Sequence, residues 1–302
     1  MADFGIQGFL VDWTTPNYID ELRRVYEPLP DVFSTMWISD HMQHNGAPWP
    51  EGWTRLTYLA AAMPRFRYGH MVLSQSYRNP GLLGVMAATL QRLTGGRFIL
   101  GLGAGWLEDE YRAFNFDFPR PGIRVQQLEE AIDLIKTLWR ESPATFEGEW
   151  YRLAGAICER PDPPIPILIG TNGPRALKVV ARTADWWNWD GPWDPTYRAP
   201  YEALQAACAE IGRPFDEITL TATLAVSLPD DVSKFEPSYG HEFYPGQVFG
   251  IVGPTPDDVI REIELLVDKG VSHFPLSFDS EAELRRFVDE VVPRVRLTRA
   301  SA

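Results

Sequence analysis

The chain has 302 residues, 45% of them apolar, enough for one large core or two ordinary ones. Its net charge of −13 disfavours nucleic acid and anionic membrane surfaces, both of which call for a basic face. Two cysteines, with no Cys/His cluster, argue against a disulfide framework or a metal site and for a reducing cytoplasm. The N-terminus MADFGIQGFLVDW has no basic region ahead of an apolar stretch, so a signal peptide is not expected, and no apolar run has the length of a membrane span.

Strand-like and helix-like segments alternate along the chain. GIQGFLVD (5–12) reads as a first strand and 17–29 as the helix after it. FSTMWISD (33–40) is a second strand and RYGHMVLSQS (67–76) a third. PGLLGVMAATLQRL (80–93) is a helix with proline at its first position, where a missing N–H does no harm. RFILGLGAG (97–105) is a fourth strand. In the helix at 122–140, Val125, Leu128, Ile132, Ile135 and Leu138/Trp139 share one stripe. After RPDPPIP come the strand ILIG (167–170), a helix at 173–184 and the strand DWWNWD (185–190). A helix at 200–212 precedes ITLTATLAVSL (218–228). The helix at 255–270 carries its own punctuation: Thr255 to cap, Pro256 first, Asp257 and Asp258 at the positive dipole end, Gly270 to stop it. VSHFPLSF (271–278) is an eighth strand, although Pro275 suits a central strand poorly, and the last helix covers 281–295.

Eight such units predict a (β/α)8 barrel, a single domain over 1–302. Periodicity leaves an open, doubly wound sheet as the alternative. Two long irregular stretches, 142–164 and 229–253, have the length of functional lids.

Reactive groups of such a barrel stand at the C-terminal strand ends. The second strand ends in Ser39, Asp40 and His41, the third in Ser74, Gln75, Ser76 and Tyr77, and the fourth in Gly101 to Gly105. The fifth ends in Gly170, Thr171, Asn172 and Gly173, directly before a helix. GLGAG lacks the third glycine of a dinucleotide fingerprint, a place taken by Trp106. It marks either a strand end pressed on a neighbour or a place where a cofactor approaches the backbone. In GTNGPRAL the helix-start N–H groups, Thr171 and Asn172 form an anion site to which Arg175 could add charge. The alternative is that Thr171 or Asn172 is a plain N-cap. The four tryptophans of WWNWDGPW (186–193) are expected mostly in the core, with one or two free to stack on a planar ligand. His44, His70, His241 and His273 are scattered, without metal spacing. His70 reads as a satisfied core residue and His241 as part of a loop.

GRFILGLGAGWLEDEY (96–111) resembles the signature segment of the bacterial luciferase-like oxidoreductase superfamily. The segments at 76–97, 164–188 and 254–276 resemble it too, in the same order and spacing. The resemblance implies a (β/α)8 barrel with long loop insertions that binds a flavin or the deazaflavin coenzyme F420. The WISDH ending is similar to the deazaflavin-dependent branch. By that resemblance Asp40 contacts the cofactor and His41 is the acid/base or a substrate contact. Ser74–Gln75 would carry a non-proline cis peptide under the ring, with Ser76, Gly103, Ala104 and Tyr111 around it. Gly170, Thr171, Asn172 and Gly173 would hold the phosphate. Two departures stand out. Ala104 stands where members acting on sugar phosphates carry a glutamate, which puts that substrate in doubt. Leu107 stands where many members have asparagine, with Glu108, Glu110 and Tyr111 nearby as substitutes. The expectation is hydride transfer between coenzyme F420 and a small organic substrate, in a cytoplasmic homodimer. The alternatives are an FMN-dependent monooxygenase and a non-catalytic cofactor-binding barrel.

Overall fold

Eight parallel strands carry the fold: β1 (Asp3–Gln7), β2 (Phe33–Ile38), β3 (Arg67–His70, resuming at Leu73–Ser74), β4 (Phe98–Gly103), β5 (Ile167–Gly170), β6 (Trp186–Asp190), β7 (Thr219–Val226) and β8 (Val271–Phe278). The hydrogen-bonded order β5-β6-β7-β8-β1-β2-β3-β4 returns to β5, so the sheet closes into the expected (β/α)8 barrel. The computed structural model describes residues 1–44, 46–237 and 250–298. His241 and the middle of the 229–253 stretch lie outside them.

The helices are α1 (Tyr18–Tyr26), α2 (Gly52–Ala62), α3 (Pro80–Leu93), α4 (Glu108–Ala113), α5 (Pro121–Arg140), α6 (Pro174–Thr183), α7 (Arg198–Ile211), α8 (Pro256–Asp268) and α9 (Glu281–Arg286). Sequence periodicity anticipates most of them but misses α2 and the short α4. The N-cap of α2 is Glu51, whose carboxylate accepts the N–H groups of Trp53 and Thr54, and glutamate is not among the usual capping signals. Two antiparallel hairpins, Gln43–His44 with Ala47–Pro48 and Ala144–Glu147 with Arg152–Ala156, also went unanticipated. β1 stops at Gln7, short of the expected residue 12, because Gly8 turns the chain with φ +74.

The chain divides into two compact units, residues 1–37 with 187–302, and residues 38–186. In the first, Phe4, Phe33, Phe274 and Phe287 are buried together, with Phe4 and Phe287 rings 5.2 Å apart and edge-on. Beside them Trp37 Nε1 donates to His273 Nε2 at 2.8 Å, and His273 Nδ1 lies 2.6 Å from Asp3 Oδ1. That relay leaves no room above β1: a Cβ on Gly5 would stand 2.6 Å from Trp37 Nε1. Pro275 lies in β8 after all, opposite Gly5 of β1, where the facing residue has no side chain. Trp187, Trp189 and Trp193 are core residues, as expected of most of that cluster. α8 has the anticipated capping box, with Thr255 and Asp258 reciprocally bonded.

In the second unit α3 packs on α5. Gly84 permits the approach, since a Cβ there would lie 2.9 Å from Leu138, and Trp139 Nε1 donates to the Gly84 carbonyl at 2.9 Å. The candidate site residues from Asp40 to Gly173 all belong to this unit.

Candidate functional site

β2 runs out at Ile38, and the polar residues after it are held by partners far along the chain. Asp40 is buried, with 5% exposure. Its Oδ2 accepts the Ser74 N–H at 3.0 Å and Arg78 Nη1 at 2.9 Å, while Oδ1 accepts Arg78 Nη2 at 2.9 Å. The same guanidinium reaches Glu51 at the start of α2. Burial pushes the Asp40 carboxyl up, and the two-pronged Arg78 contact works against that rise. Asp40 thereby ties the end of β2 to the end of β3.

His41 turns the other way. Its Nδ1 lies 3.0 Å from Oε2 of Glu110, a residue of α4 that is 1% exposed. Glu110 also accepts the N–H groups of Met42 and of Gln43 (3.1 Å) and the Tyr77 hydroxyl (2.8 Å). Burial opposes a charge on Glu110, but the hydrogen bonds from His41, Met42, Gln43 and Tyr77 outweigh it and hold its pKa below the ordinary glutamate range. An ionised carboxylate only accepts, so the neutral His41 ring carries its proton on Nδ1 and leaves Nε2 as the acceptor, with no hydrogen bond to it among the described residues. The His44 and Trp106 rings flank it, with centroids at 5.2 and 5.9 Å.

At the end of β3 Ser74 Oγ and Ser76 Oγ both bond the buried Tyr111 hydroxyl, the latter at 2.7 Å. Gly103 and Ala104 lie alongside, and the Gln75 N–H donates to the Gly103 carbonyl at 3.1 Å. A Cβ on Gly103 would stand 2.6 Å from Val72, so that glycine marks a close approach between neighbouring strands. The cis peptide expected at Ser74–Gln75 is not there. The non-proline cis bond joins Met71 to Val72, at the interruption of β3 between His70 and Leu73. Ser74 instead ends the strand, paired with Gly103 of β4, and the turn that follows starts at Gln75, whose N–H is held by the same strand. His70 is buried as expected and stacked on Trp53. Burial and the nearby Arg78 charge pull its pKa down to about 3.

Gly170 closes β5, and Gly173 leads into α6 with no side chain capping the helix. The N-cap role considered for Thr171 and Asn172 is therefore not taken up. Thr171 Oγ1 accepts the Gly173 N–H at 3.3 Å, inside the turn. No atom comes within 4 Å of where a Gly173 Cβ would stand, so the backbone is open there. The Arg175 guanidinium rests against Gly122.

The structure sorts the substitutes near Leu107. Glu108 is solvated and paired with Arg112, whereas Glu110 and Tyr111 face inward. Arg78, which holds Asp40, and Glu51, which shares that guanidinium, were not legible beforehand. Neither was the pairing of Glu110 with His41, since no local spacing links residues 69 positions apart.

Comparison with known proteins follows the same lines. The luciferase-like monooxygenase family matches residues 7–252. An F420-dependent glucose-6-phosphate dehydrogenase of Kineococcus radiotolerans is 31% identical, over 87% of this chain and 88% of its own. One from Microbacterium testaceum is 29% identical, over 87% and 89%. A solved F420-dependent secondary alcohol dehydrogenase, in complex with an F420-acetone adduct, superposes with TM-score 0.78 at 19% identity, covering 98% of this chain and 99% of that one. The coenzyme F420-dependent tetrahydromethanopterin reductase of Methanopyrus kandleri gives TM-score 0.77 at 21% identity, with coverage of 98% and 99%. These two structures establish likeness of fold.

Proposed function

The chain belongs to the luciferase-like monooxygenase family, and on that premise we propose that it is a coenzyme F420-dependent oxidoreductase transferring a hydride between that cofactor and a small organic substrate. The observation that carries the reading is the His41–Glu110 pair, an imidazole with Nδ1 anchored and Nε2 left as the acceptor among the described residues. Two curated relatives that align over 87% of the chain are F420-dependent glucose-6-phosphate dehydrogenases, which supports the reading.

The residues fit such a cofactor. Gln75 offers a buried amide nitrogen with no partner among the described residues, and the turn before α6 offers helix-start N–H groups and an open glycine. We assign Asp40, Ser74, Gln75, Ser76, Gly103, Ala104 and Tyr111 to the ring and Gly170, Thr171, Asn172 and Gly173 to the phosphate. The bound deazaflavin supplies the carbon that takes or gives the hydride. His41 Nε2 takes the proton released when substrate is oxidised and returns it in the reverse direction. Glu110 keeps the ring in the right tautomer and stabilises it while it is protonated. Asp40, held by Arg78, fixes the Ser74 backbone and keeps one edge of the mouth in register.

A homodimer suits the outer face of α3, where Leu82, Val85 and Leu93 stand exposed. The test of function is anaerobic turnover of oxidised coenzyme F420 with glucose 6-phosphate and a panel of alcohols, and of reduced cofactor with ketones and enones. The reading expects bleaching or recovery of the deazaflavin absorbance that depends on His41. Oxygen consumption with reduced FMN, and none of this, would replace it with a monooxygenase.

A further inference from the structure

We propose that Tyr151 is a positioning residue that orients the Gln75 amide so that its Nε2 donates a hydrogen bond to an acceptor atom of the bound cofactor; the inference rests on the functional reading above. Tyr151 sits at the tip of the hairpin Ala144–Glu147 with Arg152–Ala156, within the long 142–164 stretch. That tip is clamped to α5. Glu130 accepts the N–H groups of Glu149 and Trp150 at 2.9 Å and of Tyr151 at 2.6 Å. The clamp is tight, since a Cβ on Gly148 would stand 2.1 Å from Glu130 Oε1.

From this fixed base the Tyr151 hydroxyl donates to Gln75 Oε1 at 2.9 Å. Gln75 is 1% exposed, and its Nε2 has no partner among the described residues. Reversing the amide would let Nε2 donate to the phenol, but it would strand both Gln75 Oε1 and the phenol proton. The orientation with Oε1 toward Tyr151 strands only the nitrogen. Burial and the Glu130 charge push the Tyr151 phenol up, so it stays a donor. A buried, unsatisfied amide nitrogen is costly until something accepts from it. Gln75 adjoins Ser74 and is bonded through its N–H to Gly103, both assigned to the ring, so a ring carbonyl or ring nitrogen is the acceptor it meets.

The test is equilibrium titration of oxidised coenzyme F420 into the full-length protein, without substrate, read by fluorescence and by the absorbance maximum of the bound cofactor. The proteins are wild type, Tyr151→Phe, Gln75→Leu, the double variant and Gln75→Glu, with thermal melts to verify folding. The expected result is about tenfold weaker binding for each of Tyr151→Phe and Gln75→Leu, with a shifted absorbance maximum. The double variant should bind no worse than Gln75→Leu alone. Gln75→Glu should bind at least as poorly as Gln75→Leu, because it offers the cofactor an acceptor in place of a donor. Binding by wild type, with unchanged affinity in the single variants, overturns this inference alone. So do effects that multiply in the double variant, or a Gln75→Glu that binds normally. A wild type that does not bind the cofactor overturns this inference and the functional reading together.

Discussion

His41 Nδ1 lies 3.0 Å from Glu110 Oε2, across 69 residues of chain. The pairing joins the end of β2 to the first turn of α4, and it decides which imidazole nitrogen is left for chemistry. Glu110 is anchored in turn by two backbone N–H groups and Tyr77, so the ring is oriented by an acid that is itself immobile.

Removing the imidazole should therefore affect turnover far more than cofactor binding. His41→Ala is expected to lose roughly 10²–10⁴ in kcat, the usual worth of a positioned acid/base, with cofactor affinity within a few-fold of wild type. Full kcat in the variant would eliminate the proton-transfer role.

Glu110→Gln keeps the shape but loses the charge, and its amide nitrogen faces donors. It should reduce kcat by roughly 10²–10⁴ and destabilise the fold by about 1–3 kcal/mol. The folded-state pKa of Glu110 lies below 4.5, so its contribution is full above that pH and is lost as the pH falls through the folded value. Urea unfolding of both proteins should show the largest gap at neutral pH and a closing gap in acid. A gap that widened in acid would contradict the ionised, multiply bonded state of Glu110.

The open backbone at Gly173 separates binding from folding. Since nothing lies within 4 Å of its missing Cβ, Gly173→Leu should keep the wild-type melting temperature. It should weaken binding of the whole cofactor but not of a phosphate-free deazaflavin fragment. Equal weakening of both would move the phosphate elsewhere.

Gly5 offers the opposite case. A methyl group there would press on the Trp37–His273 hydrogen bond, so Gly5→Ala should cost about 1–3 kcal/mol in denaturant unfolding. Unchanged stability would mean that the tryptophan and histidine can move aside.

The strand and helix rhythm was open to reading because apolar runs bounded by glycine and proline repeat eight times, and because α8 spells out its own caps. The polar strand ends at Asp40–His41, Ser74–Ser76 and Gly170–Gly173 were legible for the same reason, as abrupt breaks in apolar runs. What escaped reading depends on contacts distant in sequence. Arg78 looks like an ordinary charge before a helix until Asp40 and Glu51 meet it, and Tyr151 like a loop residue until it reaches Gln75. The cis bond was placed three residues late, since a run such as HMVLSQS does not mark where β3 is interrupted.

Whether the strand ends around Asp40, Ser74 and Gly170 hold a deazaflavin is decided by side-by-side titration of the purified protein with coenzyme F420 and with FMN. The account predicts saturable binding of coenzyme F420, seen as a change in its fluorescence, with FMN bound far more weakly. Tight binding of FMN with no response to coenzyme F420 would contradict it.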